Sequence, residues 1–393
     1  VRGHVVAEDG RFHHVPHDRR RPEREGRVLN TRTKQPRVAI TTDWLTSFGG
    51  AERVLQQLLV LYPGAPIYTS VFAPDNLPKE MRSWDVRPSP LQRFPLVRRY
   101  SRALLPLMPM AFETFDFRDY DVVLTMSSAF SKNVNTASGT RSVCYCLTPP
   151  RYLWDLPDEY LGGMARFLAA PVLAHLREVD RRAAQRADRF VAISQTVADR
   201  IQRWYARDTD VIYPPVDTDR IRPNGRDAEN FYLVVSRLVG YKRVDLAIEA
   251  CNRLGRELRV VGTGPESKRL RALAGPTVRF LGAQSDDVVA DLYARTKAFL
   301  FPGFEDFGIA PIEAQAAGRP VVAYRAGGAA ETVVSGATGV FCEAQTVDAL
   351  VDAIEQLDRT DVDPGTCRTN AERFAAPIFR ERMGRLLESM QAS

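Results

Sequence analysis

Strand and helix patterns alternate along this chain in two successive series, and this alternation limits the possible folds more than any other feature of the sequence. Short apolar runs with the length of buried strands occur in both series, at residues 37–42, 66–71, 121–126, 142–146, 189–193, 210–213, 231–235, 257–261, 277–281, 298–301, 320–323 and 339–341. Helical patterns fill the intervals, as in the segment from Ala51 to about Leu61. Such an order predicts parallel strands joined by right-handed crossovers. The expected fold class is therefore α/β, with two Rossmann-like doubly wound domains facing each other across a cleft.

The same patterns predict the domain boundaries. Residues 1–36 are rich in Arg, His and Pro and have no helical or strand period, so we expect a disordered tail. An N-terminal Rossmann-like domain then covers residues 37–215, and a polar linker follows at 216–230. We expect the second domain at 231–372 and, at 373–393, a C-terminal helix that crosses back to the first domain.

Composition and charge argue against several classes of protein. Of the 393 residues 45% are hydrophobic, yet no uninterrupted apolar run reaches the ~20 residues that span a bilayer. The net charge is +6, and the tail accounts for most of it, so the folded part lacks the basic excess of a nucleic-acid-binding protein. Five cysteines without CxxC or metal-ligand spacing predict reduced core thiols and no metal site. The tail has no apolar core typical of a secretion signal, so we expect a cytoplasmic location.

Residues 304–320 carry the strongest indication of function. Glu305 and Glu313 lie eight positions apart, across a turn and a predicted helix start, soon after the apolar run 298–301. One carboxylate can then face a pocket at the end of the strand, while the other accepts hydrogen bonds from a diol. Sugars and riboses present such adjacent hydroxyls, so the spacing favours a nucleotide-sugar site. The alternative for these carboxylates is stabilisation of the helix dipole.

Two loops could bind the phosphates of such a ligand. Gly49 and Gly50 follow the first predicted strand and open a helix, where backbone amides and the helix dipole favour an anion. Arg237 and Lys242 follow the first strand of the second series, where two cations can clamp a diphosphate. The alternatives are a plain tight turn for the glycines and a solvated basic loop for the cations.

Three other segments each permit two interpretations. Residues 260–266 resemble part of a dinucleotide loop but lack the full GxGxxG pattern, which favours a strand-to-helix turn. Residues 327–331, Gly-Gly-Ala-Ala-Glu, fit either a functional loop or a turn with a helix cap. Residues 91–106 mix basic and apolar side chains. They suit either an interior helix with solvated arginines or a peripheral contact with the inner face of an anionic cell membrane.

Together these motifs resemble a known family. The Glu-x7-Glu pair, the Ser-Arg-Leu…Lys-Arg loop at 236–243 and the two Gly-Gly segments look like a GT4-type retaining glycosyltransferase of GT-B fold, over about residues 37–385. Segments 42–45, 145–155 and 211–217 resemble bacterial mannosyltransferases of O-antigen and exopolysaccharide assembly. The resemblance implies transfer of a hexose with retention of anomeric configuration. It also implies a nucleotide-sugar donor, GDP-mannose by expectation, no cofactor, and a glycan or lipid-linked acceptor. No Asp-x-Asp metal motif occurs in a plausible place, so we expect the transfer to be metal-independent.

The resemblance further implies roles for individual residues, with Glu305, Arg237 and Lys242 as the catalytic set. Arg237 and Lys242 neutralise the donor diphosphate, Gly49 and Gly50 bring backbone amides to it, and Glu305 orients the transferred sugar. The other implied contacts are Asp43 and Arg151 on the acceptor side, the amides of Phe307, Gly308 and Ile309 at the sugar or phosphate, and Glu313 at the ribose diol.

One position departs from the family pattern. Relatives usually carry a histidine where this chain has Leu147, and that histidine supports the donor sugar. Of the five histidines here, four lie in the tail and His175 lies in a charged helical segment. Leu147 therefore leaves open a non-catalytic nucleotide-sugar-binding protein of GT-B fold. A nucleotide-sugar epimerase built on similar sheets is a separate alternative.

Overall fold

The structure is a computed structural model that describes residues 36–94, 101–155 and 163–391. The predicted disordered tail, apart from Pro36, lies outside the described residues. So do residues 95–100 of the basic and apolar segment 91–106. From Pro36 onwards the chain forms one unit that contains both predicted sheets.

The first sheet has seven parallel strands in the order β3-β2-β1-β4-β5-β6-β7. They are β1 Val38–Thr42, β2 Ile67–Thr69, β3 Val86–Pro88, β4 Val122–Ser127, β5 Arg141–Cys146, β6 Arg189–Ala192 and β7 Asp210–Val211. Every residue of the central strands β1 and β4 is buried. Parallel strands covered by helices on both faces need such continuous apolar runs, which explains the run pattern of the sequence.

The second sheet has six parallel strands in the order β10-β9-β8-β11-β12-β13. They are β8 Phe231–Val235, β9 Glu257–Val261, β10 Val278–Gly282, β11 Ala298–Phe301, β12 Val321–Tyr324 and β13 Gly339–Cys342. The strand order reverses next to β8, and ligands of doubly wound sheets bind beyond the carboxyl ends of strands at such a reversal.

Helices cover both faces of the two sheets. They are Gly50–Leu61, Met108–Glu113, Arg151–Trp154, Gly163–Arg186, Gln195–Tyr205, Val244–Leu254, Ser267–Leu273, Asp286–Arg295, Ile309–Ala316, Ala329–Thr332, Val347–Asp358, Pro364–Glu372 and Ala376–Gln391. Short 3-10 segments lie at Pro74–Asn76, Lys79–Ser83, Pro90–Arg93, Ser101–Leu107 and Gly240–Lys242. Helix Gln195–Tyr205 has clear end signals, since the Ser194 hydroxyl accepts from the Val197 amide and Ala206 ends it in a left-handed conformation.

The sequence predicted the strands of both sheets with one exception. Strand β3 was not predicted, because its three residues form a partly exposed edge that includes Pro88. Proline cannot donate to a sheet ladder and is confined to such edges. Strand β7 is shorter than the predicted 210–213 and also lies at an edge. The α/β fold with two parallel sheets is confirmed.

The chain passes between the two sheets at two adjacent points. Val216 and Ala375 form an isolated parallel bridge, in which the Val216 amide donates to the Phe374 carbonyl at 2.9 Å. We call each sheet with the helices that cover it a lobe, the first lobe containing β1–β7 and the second β8–β13. Helix Ala376–Gln391 packs on the first lobe, where the Phe379 ring lies 5.7 Å from that of Tyr145. The two crossing segments are thus tied together by backbone hydrogen bonds.

Candidate functional site

The predicted functional loops leave neighbouring strands of the second sheet. Strand β8 leads into the loop with Arg237 and Lys242, β11 into the Glu305 loop, and β12 into the Gly327–Gly328 turn. These three strands lie side by side in parallel, so their carboxyl ends meet at one edge of the sheet. The parallel order of the strands is therefore enough to bring these three loops together.

Lys242 and Glu305 form an ion pair at this edge. The Lys242 Nζ contacts the Glu305 Oε1, and the two side chains are 13% and 23% exposed. Backbone packing holds them together, because a Cβ built on Gly303 would lie 2.8 Å from the Lys242 Cα. Only glycine fits so close to a neighbouring backbone. An ammonium and a carboxylate that remain partly open to solvent can exchange partners when an anionic sugar derivative enters.

Arg237 lies beside this pair and is exposed. Its Nη2 donates to the Tyr241 hydroxyl at 3.0 Å, and the Lys242 Nζ lies 5.5 Å from the Tyr241 ring centre. Arg237 also faces the first lobe, because its charge acts on the buried Glu52 carboxylate. Burial raises the pKa of Glu52, although this arginine and the local amides oppose the effect. The structure thus brings both predicted cations to one edge of the cleft.

Two helix N-termini approach each other across the cleft. Helix Gly50–Leu61 begins at the predicted Gly49–Gly50 loop, and helix Ile309–Ala316 begins after Gly308. A Cβ added to Gly50 would lie 3.0 Å from the Ile309 Cδ1. Unpaired amides and the positive end of the helix dipole favour an anion at each terminus. The two facing termini therefore make this region suited to an anion such as a diphosphate.

Glu313 lies one helical turn deeper, on helix Ile309–Ala316. The Tyr293 hydroxyl donates to its Oε2 at 3.1 Å, and the Arg220 Nη2 lies 3.5 Å from its Oε1. Burial raises the pKa of Glu313, while Arg53, Arg220 and the Tyr293 hydrogen bond oppose the rise. The carboxylate therefore has partners on both oxygens and is only 12% exposed.

Phe307 and Gly308 shape the turn between these carboxylates. The Phe307 ring is buried and stacks on Tyr213 at 5.6 Å, so only its backbone can meet a ligand. Gly308 has a φ of +83° as the residue before the helix, a conformation that other residues rarely adopt. A Cβ there would lie 3.0 Å from the Phe301 ring. The turn that separates Glu305 from Glu313 thus requires this glycine.

Asp43, an implied contact on the acceptor side, is engaged with neighbouring backbone amides in the structure. Its carboxylate is buried and accepts from the amides of Ser128 at 2.6 Å, Ala129 at 2.9 Å and Ser131 at 2.7 Å. A carboxylate that satisfies successive amides stabilises a turn, here the one after β4. Asp43 therefore shapes the floor of the first lobe, and its oxygens are already engaged with protein.

Arg151 of the first lobe forms an ion pair with Asp306 of the second lobe. Its Nη2 lies 2.8 Å from the Asp306 Oδ1, in a contact where both side chains are at most 15% exposed. Arg200 donates to the same Oδ1 at 2.8 Å and also pairs with Asp155. Arg200 and Asp306 were not predicted. Asp306 stands next to Glu305 in the most informative segment, but the helical pattern around Arg200 gives no sign of a partner more than 100 residues away.

Glu331 makes a second contact between the lobes. Its carboxylate accepts from the amides of Gln195 at 2.7 Å and Thr196 at 2.9 Å, and from the Thr196 hydroxyl at 2.8 Å. These amides belong to the first turn of helix Gln195–Tyr205, where helices lack internal acceptors. Residues 327–331 thus contain a carboxylate that caps a helix of the opposite lobe.

Leu147 follows strand β5 at the cleft side of the first sheet and packs half-buried against the core. His175 is exposed on helix Gly163–Arg186. No group of three or more metal-ligating side chains occurs within residues 36–94, 101–155 and 163–391. Over the same ranges, no helix has the length and apolarity needed to cross a membrane.

Both lobes match known protein families. Residues 48–220 match the family described as Glycosyltransferase Family 4, and residues 216–374 match the Glycosyl transferases group 1. The chain belongs to the GT4 glycosyltransferases. The two matches meet at the linker and together extend over most of the described residues.

Curated relatives of this GT4 protein include mannosyltransferases. A GDP-mannose-dependent alpha-(1-6)-phosphatidylinositol monomannoside mannosyltransferase of Mycobacterium tuberculosis is 31% identical over 240 residues, which are 51% of the chain and 62% of the relative. A D-inositol 3-phosphate glycosyltransferase of Rhodococcus opacus is 31% identical over 204 residues, covering 44% and 45%. The chain thus spans about half to three fifths of the length of these relatives.

Solved structures confirm the GT-B fold. A sucrose-phosphate synthase from Thermosynechococcus elongatus gives a TM-score of 0.69 at 19% identity, covering 90% of this chain and 99% of that one. HepE of Anabaena, in complex with UDP and glucose, gives 0.68 at 21% identity, covering 90% and 100%. At these identities the likeness concerns the fold, and it extends across both lobes of the GT4 protein.

Proposed function

We propose that this protein transfers a hexose from a nucleotide sugar to a glycan or lipid-linked acceptor, with retention of anomeric configuration. The contact between Lys242 and Glu305 carries the proposal, since it sets a cation and a sugar-binding carboxylate side by side at the edge of the sheet. Membership of the GT4 family supports the same class of reaction.

Lys242 and Arg237 stabilise the leaving group in this scheme. The bond between the anomeric carbon and the diphosphate oxygen breaks, and its electron pair remains on that oxygen. Lys242 then exchanges Glu305 for the phosphate, assisted by Arg237 and the facing helix N-termini. Removing one such preorganised group costs about 3–4 kcal/mol of transition-state stabilisation, or ~10²–10³ in rate.

The acceptor hydroxyl attacks from the face that the phosphate leaves. Its oxygen forms the new bond to the anomeric carbon, and its proton passes to the departing phosphate. Glu305, released from Lys242, orients the hydroxyls of the sugar. Because bond breaking and bond making share one face, the product keeps the configuration of the donor. This scheme uses protein side chains and the substrate, and it needs no divalent ion.

GDP-mannose is the proposed donor. The relative from Mycobacterium tuberculosis is named as GDP-mannose-dependent and acts on phosphatidylinositol monomannoside, which supports mannose and a lipid-linked acceptor. The solved structure of HepE contains UDP and glucose, which favours a uridine-nucleotide donor as the alternative. Glu313 holds the ribose diol in either case.

A cytoplasmic protein in peripheral contact with the membrane fits a lipid-linked acceptor. Phe94 is 52% exposed and follows Arg93 at the start of the basic and apolar segment. An apolar side chain next to a cation suits the surface of an anionic bilayer. The contact is proposed for the inner face of the cell membrane.

Leu147 favours a second candidate, a nucleotide-sugar-binding protein without transfer activity. Histidine is usual at this position in the family, and the half-buried leucine offers no polar atom to a sugar. Such a protein would bind the donor through the same cations and carboxylates. The two candidates differ in turnover and agree in binding.

A thermal-shift screen followed by a transfer assay tests these candidates. We expect GDP-mannose or a related nucleotide sugar to raise the melting temperature, since a ligand of the native state stabilises it. With acceptor present, the product should carry the donor's anomeric configuration by NMR. Lys242→Ala and Glu305→Ala should lose turnover, whereas Lys268→Ala, at an exposed site, should retain it. Binding without turnover supports the second candidate, and release of an isomerised sugar would identify an epimerase.

A further inference from the structure

Arg220 lies in the predicted linker 216–230 and contacts Glu313 of the proposed donor site. Its side chain is 20% exposed, although the sequence around it is polar and predicts a solvated loop. The Nη2 lies 3.5 Å from the Glu313 Oε1, and the Nη1 donates to the Asp286 carbonyl at 2.9 Å. The Nε lies 3.6 Å from the Asp217 Oδ2. A single guanidinium thus joins the linker, helix Asp286–Arg295 and helix Ile309–Ala316.

The surroundings of Glu313 explain why this contact matters. The groups that act on its carboxylate are the charges of Arg53 and Arg220, the Tyr293 hydroxyl and the like-charged Asp286. Arg53 is itself engaged, because its Nη2 forms bonds of 2.9 Å to both oxygens of Asp286. Arg220 is therefore the cation that directly contacts Glu313.

We propose that Arg220 is a positioning residue for donor recognition: it keeps Glu313 ionised and fixes its orientation, so that the carboxylate can accept both ribose hydroxyls. The proposal rests on the proposed function, in which Glu313 holds the ribose. A carboxylate accepts two donors only while ionised, since the protonated group donates through one oxygen. A fixed guanidinium is suited to this task because it stays charged and directs its donors in a rigid fork.

Arg220 also links Glu313 to segments that lie between the two lobes. The linker residue Asp217 lies next to Val216, whose backbone pairs with the second crossing segment. Arg220 also shares Asp286 with Arg53 of helix Gly50–Leu61 in the first lobe. A movement of the linker would therefore displace the guanidinium that supports Glu313. Ribose recognition becomes sensitive to the arrangement of the lobes.

The test measures nucleotide binding by calorimetry, with GDP and UDP and their 2′,3′-dideoxy forms as probes, at about pH 6 and about pH 8. On this proposal wild type prefers the ribonucleotide at both values, because Arg53 and Arg220 oppose the rise in the pKa of Glu313 that burial causes. Arg220→Gln removes one of the two cations that lower the pKa of this buried carboxylate, so the pKa of Glu313 rises further. The ratio of ribonucleotide affinity to dideoxy affinity then falls by up to about tenfold for each pH unit below that pKa, until the two forms bind equally.

Two further variants complete the design. Arg220→Lys keeps the charge and should keep the wild-type pH profile, with weaker binding from the lost fork. Arg222→Gln is the matched control, since Arg222 is 62% exposed and pairs only with Asp219 among the contacts of the described residues. It should match wild type with all four probes.

Each outcome decides the proposal. A preference for ribose that Arg220→Gln loses at the lower pH and regains at the higher pH supports it. A variant equal to wild type, or one that weakens ribose and dideoxy probes equally at both pH values, overturns it and leaves Glu313 as the ribose contact. Failure of wild type to bind any probe, or to prefer ribose, overturns the proposed donor site itself.

Discussion

The substitution Asp306→Asn tests whether the ion pairs of Asp306 hold the two lobes together. The Arg151 Nη2 lies 2.8 Å from the Asp306 Oδ1, and the Arg151 Nε donates to Oδ2 at 3.2 Å. The Arg200 Nη1 lies 2.8 Å from the same Oδ1. The three side chains are 12–15% exposed. The substitution keeps the shape of the side chain and removes the charge that both guanidiniums share.

The expected magnitude lies between two limits. Breaking a buried ion pair costs about 3–5 kcal/mol, whereas an exposed pair contributes roughly 0–1 kcal/mol. Arg200 keeps Asp155 as a partner. Arg151 loses its ion partner and keeps the rings of Tyr241 and Phe304, at 5.8 and 5.5 Å. We therefore expect about 3 kcal/mol, which corresponds to a shift of about 100-fold in the equilibrium between associated and separated lobes.

Amide hydrogen exchange at Gln195 and Thr196 measures that equilibrium. Both amides donate to Glu331 of the opposite lobe, so they are protected only while the lobes are together. In Asp306→Asn they should exchange about 100-fold faster, in proportion to the opening free energy. Asp348→Asn is the control, since Asp348 is 81% exposed and its pair with Arg253 lies on the surface. Unchanged exchange at Gln195 and Thr196 in Asp306→Asn would refute the reasoning.

Three further predictions concern stability and reactivity. Gly262→Ala should lower the free energy of unfolding by at least about 2 kcal/mol, because the φ is +124° and a Cβ would lie 1.9 Å from the Ser236 carbonyl oxygen; denaturant titration measures the loss. Asp180→Asn should cost about 3–5 kcal/mol in the same titration, since it leaves Lys132 buried without its partner at 2.5 Å, and an unchanged midpoint would contradict this. Burial raises the pKa of Cys146 to about 12, so thiol reagents should label it at neutral pH only after unfolding, and rapid labelling of the native protein would show otherwise.

The sequence predicted the features that depend on local pattern and on parallel topology. Apolar runs marked the strands, and the family resemblance implied a common role for Lys242 and Glu305, whose side chains the structure brings into contact. Glycine at position 308 marked a turn that only glycine adopts readily. These signals are contained in a few consecutive residues or in the regular alternation of strand and helix.

The contacts that join distant parts of the chain could not be predicted in this way. Asp43 binds a turn 85 or more positions later, and Glu331 caps a helix more than 130 positions earlier. Nothing in the local sequence of either carboxylate specifies its partner. Arg220 was assigned to a linker because its neighbours are polar, and only the folded chain brings it to Glu313.

The most direct test of the account compares nucleotide affinities in wild type, Lys242→Ala and Lys268→Ala by calorimetry. The account holds that Lys242 meets the diphosphate of the donor, so wild type and Lys268→Ala should bind GDP or UDP more tightly than the corresponding monophosphate. Lys242→Ala should lose that preference, because the ammonium that distinguishes the two ligands is gone. A Lys242→Ala variant that still prefers the diphosphate as strongly as wild type would contradict the account.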